Sequence, residues 1–358
     1  MTQRLRILLL IPHLGGGGAE QVTALLARGL SRQKYELHLG LVTQASAGTE
    51  ALPPRVAIHA LGASRVRYGA FRLLRLIWRL RPRMILSGMA HLNFLVLLLR
   101  PFFPRGTHVL VRQNATVSAA LAFGGLPRST RLLYRLLYRH ADRVICQTHA
   151  MAGDLAEELG IENELIAVLP NPVDMDGIRA SKGDPEQWNG PGPHLLAVGR
   201  LSREKGFDLL LQALATVRLQ FAHADLAIAG AGPEEEALKA ECRLLGLETA
   251  VRFAGHVPRP YAYFPGATLF VLSSRHEGMP NALLEAAAGG LPIVALPASG
   301  GVVDLLSGDP GAWLAPEISA SALASTLLAA LGELQPGRRF QHSLASHRQA
   351  SLLVANVE

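Results

Sequence analysis

The feature that most constrains this chain is the alternation of short apolar runs with longer amphipathic segments. In the first half, the apolar runs predict strands at Leu5–Ile11, Leu37–Leu41, Met84–Ser87, His108–Val111, Arg143–Gln147 and Leu165–Val168. The amphipathic segments between them predict helices that include Ala19–Leu30, Phe71–Leu80 and Arg131–His140. Such alternation is typical of a parallel sheet that is covered by helices on both faces.

A stretch rich in proline and glycine at residues 185–193 interrupts the pattern, which then starts again. The later strands are predicted at Leu195–Val198, Leu226–Ala229, Val251–Ala254, Leu269–Leu272 and Ile293–Ala295. The later helices are predicted at Phe207–Val217, Glu234–Leu245, Asn281–Ala288 and Ala320–Leu334. We therefore predict an α/β fold with two doubly wound, Rossmann-like domains, residues 1–184 and 194–337, joined by the linker 185–193. Ligands of such sheets bind at the carboxyl ends of the strands, so we expect the site in the cleft between the domains.

Composition limits the class of protein. Hydrophobic residues make up 49% of the chain and charged residues 18%, which favours a large core over disorder. The two cysteines, Cys146 and Cys242, have no partner at metal-ligand spacing, so we expect buried thiols in a reducing compartment. The first apolar run is too short for a signal peptide. The uncharged stretch Met84–Leu99 falls short of the roughly 20 residues that span a bilayer, so we expect a soluble, cytoplasmic protein.

Positive charge is concentrated in the first half. Residues 1–190 hold 23 Lys and Arg against 13 Asp and Glu, whereas residues 191–358 hold 12 against 15. Between Arg65 and Arg143 there are 15 arginines and one acid, Asp142. The segment 65–83 mixes arginine with Leu, Ile, Phe and Trp78, which is the composition of a helix on an anionic membrane. The alternative is an ordinary solvated face on which arginine stems cover apolar surface. A nucleic-acid partner is not expected, because no recognised binding motif is present.

Glu277 and Glu285 form the most informative pair. Glu277 lies on the loop that leaves the predicted strand Leu269–Leu272, and Glu285 lies about one turn into the next helix. We predict that this helix has Pro280 at its first position, where a missing N–H costs nothing. Its N-terminus offers backbone N–H groups and a positive dipole end to an anion. Two carboxylates beside an anion site suit a ligand with both hydroxyls and phosphates, such as a nucleotide-sugar.

Glycine-rich turns follow several predicted strands. The loop Gly15–Gly18 allows close approach of backbone to a ligand, but it matches neither the dinucleotide fingerprint nor the P-loop, and a flexible turn is the alternative. Gly230 and Gly232 favour a tight strand-to-helix turn. The sequence Ser299–Gly301 could supply backbone donors or be a connecting turn, and Asn171–Asp174 could be a rigid turn alone.

Arg200 and Lys205 follow the first predicted strand of the second domain and are bracketed by Gly199 and Gly206. Arginine offers a fixed fork of donors and lysine a mobile point charge, so both can reach one pyrophosphate. The alternative is a pair of solvated surface cations. Their position at the carboxyl end of a strand favours the pyrophosphate site.

Taken together, these motifs resemble those of the retaining glycosyltransferases of family 4, which have the GT-B arrangement of two facing Rossmann-like domains. The carriers are Gly17–Glu20, Asn171–Asp174, Gly199–Leu201 with Lys205 and Gly206, the pair Glu277 and Glu285, and Ser299–Gly301. The resemblance covers nearly the whole chain. It implies a metal-independent enzyme without a cofactor that moves a hexosyl group from a nucleotide-sugar, such as a UDP-sugar, to a glycan or glycolipid. Envelope, lipopolysaccharide or exopolysaccharide synthesis is the implied setting, on the inner face of the cytoplasmic membrane.

The resemblance also implies roles for single residues. Arg200 and Lys205 would neutralise the donor diphosphate, Glu285 would bind the ribose hydroxyls, and Glu277 would contact the transferred sugar. The implied donor-binding set further includes Gly15, Gly16, Gly17, Gly18, Gly199, Gly278, Met279, Pro280, Asn281, Gly300 and Gly301. Because charge builds on the departing diphosphate, fixed cations and a helix N-terminus would stabilise the transition state.

In the first domain, the resemblance implies His91 as a catalytic and acceptor-binding residue, and the alternative is a histidine at a helix start with no substrate role. Asn93, Arg112 and Asn114 are the other implied acceptor-binding residues. Relatives often carry a His or an acidic residue in the stretch 112–114, and this chain has neither. Relatives also close with a helix that crosses back to the first domain, and residues 338–358 are expected to form it.

Two alternatives keep the fold but change the function. One is a nonhydrolysing sugar-nucleotide epimerase, which would turn over the nucleotide-sugar without an acceptor. The other is a non-catalytic sugar-nucleotide binder, which would keep its affinity after loss of Glu277. The presence of Arg200, Lys205, Glu277 and Glu285 together favours the transferase.

Overall fold

The computed structural model describes residues 4–15, 17–30, 34–43, 52–53, 56–118, 129–183, 188, 190–335 and 337–342. Contacts divide these residues into two compact units, and the division falls between Pro172 and Val173. We call the part up to Pro172 unit 1 and the part from Val173 unit 2. Each unit is a parallel sheet with helices between its strands, so the predicted two-domain α/β fold is confirmed.

Unit 1 contains a seven-stranded parallel sheet with the order β3-β2-β1-β4-β5-β6-β7. Its strands are β1 Leu5–Ile11, β2 Tyr35–Leu41, β3 Ala57–Ala60, β4 Met84–Ser87, β5 His108–Arg112, β6 Arg143–Cys146 and β7 Ile166–Val168. Its helices are α1 Gly18–Gly29, α2 Ala70–Leu80, α3 Ala90–Leu99, α4 Ser129–Tyr138 and α5 His149–Leu159.

Alternating side chains of β1 divide the core of unit 1 between the two faces of its sheet. Leu8 and Leu10 belong to a buried cluster that includes α2, α3, α4 and α5, whereas Leu9 belongs to a second cluster with α1. Successive residues of a strand point to opposite faces, so a strand that is apolar throughout is buried on both sides. This explains why the sequence of β1 is a continuous apolar run.

Unit 2 contains a six-stranded parallel sheet with the order β10-β9-β8-β11-β12-β13. Its strands are β8 His194–Val198, β9 Asp225–Ala229, β10 Val251–Gly255, β11 Leu269–Leu272, β12 Ile293–Ala295 and β13 Ala312–Leu314. Its helices are α6 Met175–Ala180, α7 Phe207–Val217, α8 Glu235–Leu244, α9 Asn281–Ala288, α10 Gly300–Leu306 and α11 Ala320–Glu333. One face packs against α7, α8 and α11, and the other against α6, α9 and α10.

Both sheets reverse their strand order at one point. In unit 1 the chain runs outward from β1 through β2 to β3 and then returns to the other side of β1 with β4. In unit 2 it runs from β8 through β9 to β10 and returns beside β8 with β11. Connections leave such a pair of strands in opposite directions, which opens a crevice at their carboxyl ends. Ligand-binding residues are therefore expected after β1 and β4, and after β8 and β11.

The segments around the predicted linker and the predicted last helix pack on unit 2. Helix α6, which precedes the linker 185–193, contributes Ile178 to the core of unit 2, and Trp188 stacks on His194. After α11, the Arg339 guanidinium donates to three backbone carbonyls of residues 264–267, and the Phe340 N–H donates to the Gly290 carbonyl. Residues 338–342 are therefore packed on unit 2 and are not part of a helix, so the predicted last helix does not begin at residue 338. Residues 343–358 lie outside the described part.

Two further expectations concern burial and membrane spans. Cys146 and Cys242 are free and buried, as predicted. Burial raises the pKa of the Cys146 thiol to about 12 and that of Cys242 to about 11. Among the helices that the structure describes, none combines the length and the hydrophobicity that a bilayer crossing requires.

Candidate functional site

Lys205 and Glu277 meet at the point where the strand order of unit 2 reverses. Lys205 ends a short 3-10 turn after β8, and Glu277 lies on the connection that leaves β11. The Lys205 Nζ donates to Glu277 Oε1 at 2.7 Å, and the Ser274 Oγ donates to the same oxygen at 2.6 Å. Glu277 is only 8% exposed, so a buried carboxylate is held in place by a cation and a hydroxyl. Lys205 and Glu277, which belong to separate sequence motifs, are therefore directly hydrogen-bonded.

A second set of contacts fixes the two connections to each other. The Ser273 Oγ donates to the Lys205 carbonyl at 2.8 Å, and the Arg275 guanidinium donates to both carboxylate oxygens of Asp208 at 2.6 Å. Desolvation raises the pKa of Asp208, but the hydrogen bonds and charge of Arg275 outweigh it and lower the pKa overall. These residues were not identified from the sequence. The sequence signal for Ser273 and Arg275 is the polar run that directly follows the apolar strand β11.

Gly206 allows this close contact between the connections. Its φ of +62° lies in the left-handed region, and a Cβ there would overlap the carbonyl oxygen of Ser273. Gly230 and Gly232 approach the carbonyls of Gly199 and Leu201 in the same way. Any side chain at these three positions would push the connections after β8, β9 and β11 apart. This is a packing role, and it agrees with the tight turn predicted for Gly230 and Gly232.

Helix α9 follows the Glu277 connection. It begins at Asn281, and Pro280 is its N-cap residue with a φ of −74°, one position earlier than predicted. Within the described residues, no side-chain hydrogen bond caps this N-terminus. Gly278 and Met279 are buried just before it. Anion binding at the first turn of α9 stays a prediction.

Glu285 is buried on α9, with 4% of its surface exposed. Burial raises the pKa of Tyr261, and the carboxylates of Asp174 and Glu285 add to the shift. Tyr261 Oη donates to Asp174 Oδ2 at 3.5 Å. The last residue of the Asn171–Asp174 motif thus lies in the same electrostatic environment as Glu285.

A third connection, after β12, lies at the same carboxyl end of the sheet in unit 2. The Glu277 N–H donates to the Ala298 carbonyl at 3.3 Å, and Ser299 Oγ caps α10 by accepting from the Val302 N–H. Gly300 is exposed and Gly301 is buried. On the connection after β8, Gly199 is half-buried and Arg200 is exposed. The predicted donor-binding residues of unit 2 therefore lie on connections that leave three adjacent strands, β8, β11 and β12.

Unit 1 brings two histidines together at its own reversal of strand order. His13 follows β1, and His91 lies in the first turn of α3 after β4. The Gly88 N–H donates to the Leu10 carbonyl at 3.2 Å, which extends the pairing of β1 with β4 to the start of the second connection. Desolvation lowers the pKa of His91, and the neighbouring His13 lowers it further. His13 was not identified from the sequence, although it directly precedes the glycine-rich loop.

Two glycines of the glycine-rich loop, Gly15 and Gly17, lie beside the side chains of His13 and Glu20. Glu20, 6% exposed, places Oε1 3.3 Å from His13 Nδ1, and the Gly15 N–H donates to the same Nδ1 at 3.1 Å. A Cβ at Gly17 would lie 2.6 Å from Glu20 Oε2, so this glycine leaves room for the carboxylate. Gly17 and Gly18 are exposed, and the predicted residue Gly16 lies outside the described part.

The predicted acceptor residues have different surroundings. Asn93 is fully buried, and its amide donates to the Arg112 carbonyl at 3.0 Å and to Tyr138 Oη at 3.1 Å. Arg112 is 6% exposed, and burial lowers its pKa to about 10. Its guanidinium donates to Asn171 Oδ1. These contacts give Asn93 and Arg112 a part in holding the fold, and acceptor binding by them stays a prediction.

Asn114 differs from these two residues because it is exposed. It donates to the Gly88 carbonyl from the connection after β5. It therefore lies at the same edge of unit 1 as His91.

Among the described residues, no group of three or more His, Cys, Asp or Glu side chains is arranged to share a metal ion.

Two models of protein families match the chain. The model described as Glycosyltransferase Family 4 matches residues 16–176, and the model described as Glycosyl transferases group 1 matches residues 192–333. Together they account for most of both units. Each unit is thus recognised separately by a family model.

Curated relatives carry glycosyltransferase names. The putative colanic acid biosynthesis glycosyltransferase WcaL of Escherichia coli is 31% identical over 248 residues, which are 64% of this chain and 59% of that protein. The chain thus matches about three fifths of the length of this relative. An N-acetylgalactosamine-N,N'-diacetylbacillosaminyl-diphospho-undecaprenol 4-alpha-N-acetylgalactosaminyltransferase of Campylobacter jejuni is 27% identical over 84% of this chain and 83% of its own length.

The fold is also that of solved glycosyltransferases. The crystal structure of Anabaena HepE in complex with UDP and glucose superposes with a TM-score of 0.78 at 19% identity, covering 99% of this chain and 97% of HepE. With both halves matched by family models and the fold shared over nearly the whole length, the chain belongs to the family 4 glycosyltransferases, which have the GT-B fold.

Proposed function

We propose that this protein is a retaining glycosyltransferase that moves a sugar from a nucleoside-diphosphate donor to a lipid-linked or polysaccharide acceptor in envelope glycan synthesis. The observation that carries the proposal is the contact of Lys205 with the buried Glu277 at the reversal point of unit 2. The names of the relatives support the acceptor class, because they include colanic acid and undecaprenol-linked glycan synthesis.

In the proposed reaction, the bond between the sugar and the diphosphate breaks, and negative charge develops on the departing diphosphate. Lys205 uses one N–H to hold Glu277, and its other two N–H groups are donors for a phosphate oxygen. Arg200 and the first turn of α9 add positive potential at the same edge. Because these groups are oriented before the reaction, they stabilise the charge without reorganisation.

Glu277 would hold the transferred sugar in this scheme. Lys205 and Ser274 both donate to its Oε1, so the position of this oxygen is restrained from two directions. A fixed carboxylate can accept hydroxyl hydrogens of a sugar ring with defined geometry. The acceptor hydroxyl would attack the face from which the diphosphate leaves, its proton would pass to the departing phosphate, and the new bond would retain the configuration.

Donor binding and transfer are tested in sequence. A thermal-shift screen of UDP, GDP and their sugars identifies the donor, since a ligand at 100 times its Kd stabilises the folded state by about 2.7 kcal/mol. Transfer is then measured for wild type, Lys205→Ala and Glu277→Gln. Loss of a transition-state donor of this kind costs roughly a hundredfold to a thousandfold in kcat.

A matched lysine provides the control. Lys239 on α8 pairs with Glu235 and Glu236 and has no role in the proposed site, so Lys239→Ala is expected to keep full activity. Full activity in Lys205→Ala and Glu277→Gln would contradict the site. Turnover of the nucleotide-sugar without any acceptor would indicate an epimerase, and tight binding without any turnover would indicate a non-catalytic binder.

Metal independence is part of the proposal. Its support is that Lys205 and Arg200 supply positive charge where many glycosyltransfer reactions need a cation. Transfer is expected to be unchanged after treatment with EDTA. A loss that Mg²⁺ or Mn²⁺ restores would contradict this part alone.

We further propose that unit 1 binds the acceptor at the cytoplasmic face of an anionic membrane. The support is a surface formed by α2, α3 and α4, in which α3 contacts both neighbours. Exposed on it are Tyr68, Phe71, Trp78, Leu98, Phe102, Leu132, Leu133 and Leu136. We call these eight side chains the outer helix face. The Trp78 indole N–H donates to the Phe102 carbonyl at 2.9 Å, so side chains of α2 and of the turn after α3 lie side by side.

Arginines surround the outer helix face. Arg75 and Arg79 on α2, and Arg135 and Arg139 on α4, are exposed beside the apolar side chains. The inner side of α4 is occupied by Tyr134 and Tyr138, which pack on Phe94 of α3. Apolar side chains among arginines fit an interface of acyl chains and anionic headgroups, where each arginine contributes about 1 kcal/mol.

Sedimentation with vesicles tests the membrane contact. Binding is expected with vesicles that contain phosphatidylglycerol and not with pure phosphatidylcholine, and it should weaken in Phe71→Ser/Trp78→Ser and in Arg75→Glu/Arg135→Glu. Leu219→Ser/Leu244→Ser is the control, because these leucines are 85% and 87% exposed on unit 2. Equal binding by all variants would contradict the assignment of this surface.

A further inference from the structure

Gly15 of unit 1 binds one nitrogen of the His13 ring, Nδ1, and the other ring nitrogen, Nε2, points away from this contact. Nδ1 lies 3.1 Å from the Gly15 N and 3.3 Å from Glu20 Oε1. In the neutral ring the Gly15 N–H donates to Nδ1, so the ring hydrogen is on Nε2. In the protonated ring Nδ1 donates to Glu20, and Nε2 again carries hydrogen. Nε2 is therefore a hydrogen-bond donor in both states.

The position of His13 is that of a ligand-binding residue. It follows β1 where the strand order of unit 1 reverses, it influences the charge of His91 after β4, and its side chain is 47% exposed. A donor fixed by the loop at the carboxyl edge of a parallel sheet is well placed to orient a substrate.

The charge of Glu20 decides which substrate group fits. This buried carboxylate lies against Gly17 at the first turn of α1, where a helix would otherwise attract an external anion. A phosphate in this place would be repelled by Glu20, whereas a neutral hydroxyl would not. The loop therefore favours the hydroxyl-bearing part of a substrate.

We infer that His13 contacts a sugar hydroxyl of a substrate through Nε2 and that Glu20 is the residue that positions His13. The inference rests on the proposed glycosyltransfer, and it gives His13, which precedes the glycine-rich loop, a role in binding sugar. The sugar belongs either to the donor or to the acceptor, and the kinetic constants for the two substrates distinguish these sources.

Two amide variants separate contact with substrate from support of the loop. In His13→Asn the side-chain amide lies near the position of Nδ1, so it keeps the loop contact but has no atom at Nε2. In His13→Gln the amide reaches the position of Nε2 and loses the contact at Nδ1. A role in substrate binding makes Asn the worse replacement, and a purely structural role makes Gln the worse one.

The measurements are the Kd of UDP or GDP, whichever binds, the KM of the nucleotide-sugar and the KM of a polyprenyl-diphosphate-linked sugar. We expect His13→Asn to keep the Kd of the nucleoside diphosphate within twofold and to raise the KM of one sugar-bearing substrate at least tenfold. His13→Gln should be at least threefold better than His13→Asn in that KM. The opposite order, no change in either KM, or a parallel loss of diphosphate affinity would overturn the inference.

Glu20 is tested by coupling to His13. Glu20→Ala should raise the same KM, and the KM of the double variant Glu20→Ala/His13→Asn should be no higher than that of His13→Asn alone. If the two residues acted independently, the fold-changes in KM of the single variants would multiply in the double variant. Glu157→Ala and His149→Asn, at exposed positions of α5, are the matched controls. Wild-type protein that transfers no sugar would refute the proposed function, whereas normal transfer with an additive double variant would refute only the role of Glu20.

Discussion

Replacement of Gly206 by alanine tests whether the backbone after β8 holds Lys205 against Glu277. The φ of +62° costs an alanine about 1–2 kcal/mol. The new Cβ would also overlap the Ser273 carbonyl oxygen and lie 3.1 Å from its carbon, and overpacking of this kind costs about 1–3 kcal/mol. The free energy of unfolding should fall by about 2–5 kcal/mol, which corresponds to a Tm lower by roughly 5–15 °C for a domain of this size.

The same substitution should reduce activity for a local reason. The Ser273 hydroxyl holds the Lys205 carbonyl at 2.8 Å, so displacement of Ser273 moves Lys205 away from Glu277. A loss of only about 1.4 kcal/mol of transition-state stabilisation lowers kcat/KM tenfold, and we expect at least this loss. Melting curves and transfer rates, both measured well below the Tm of the variant, separate the two effects.

Gly246→Ala is the matched control for the conformational cost. Gly246 has a φ of +64°, and a Cβ there would have no atom within 4 Å among the described residues. This variant should lose about 1–2 kcal/mol of stability and keep full activity. If Gly206→Ala matched it in both Tm and kcat/KM, the packing argument for the β8 and β11 connections would be wrong.

Three further predictions concern charge and reactivity. Lys205→Ala and Glu277→Gln should be less than additive in kcat/KM when combined, because the two side chains share one hydrogen bond; additive effects would mean independent roles. His38 and His59 contact each other at 3.0 Å, and burial lowers the pKa of both below the ordinary value of about 6.5. As the pH falls through about 6.5, the unfolded chain therefore binds more protons than the folded chain, and the free energy of unfolding should decline. Urea unfolding at pH 7.5 and 5.5 checks this, and His38→Gln/His59→Gln should show a smaller decline; an equal decline would exclude the pair as its source. DTNB should label neither Cys146 nor Cys242 until the protein is unfolded, because burial raises both thiol pKa values, and rapid labelling of the native protein would contradict their burial.

The sequence predicted the central strands well because these strands are buried on both faces. The bounds of β1, β4, β11 and β12 agree with the apolar runs from which they were predicted. It missed β3 and β13, which form one edge of each sheet, but it predicted β7 and β10 at the opposite edges. The residues of β3 are mostly exposed and include His59, and β13 is only three residues long, so neither stood out as a strand. A short or exposed strand leaves a weak pattern, whereas burial on both faces leaves a strong one.

The site was predictable only in part, for a different reason. The Lys205 and Glu277 motifs carry recognisable neighbours, but the contact between them joins residues 72 positions apart. The bond of Arg275 to Asp208 likewise spans 67 positions, and it depends on β8 and β11 being adjacent. Periodicity in a single sequence predicts elements and leaves the order of strands open. Asn93 shows the opposite problem, since a polar residue near a helix start gave no sign of the fully buried bonds it makes to Arg112 and Tyr138.

The two units use the same topological position for different electrostatic purposes. In unit 2 the buried Glu277 is paired with Lys205, and we expect Arg200 and the first turn of α9 to add positive potential beside the pair. In unit 1 the buried Glu20 lies 3.3 Å from His13 Nδ1, and it is part of the first turn of α1, which would otherwise attract an anion. Phosphate is therefore expected at the edge of unit 2 and neutral hydroxyls at the loop of unit 1. Lys205→Ala should therefore weaken the affinity for the nucleoside diphosphate. His13→Asn should leave that affinity within twofold and raise the KM of one sugar-bearing substrate.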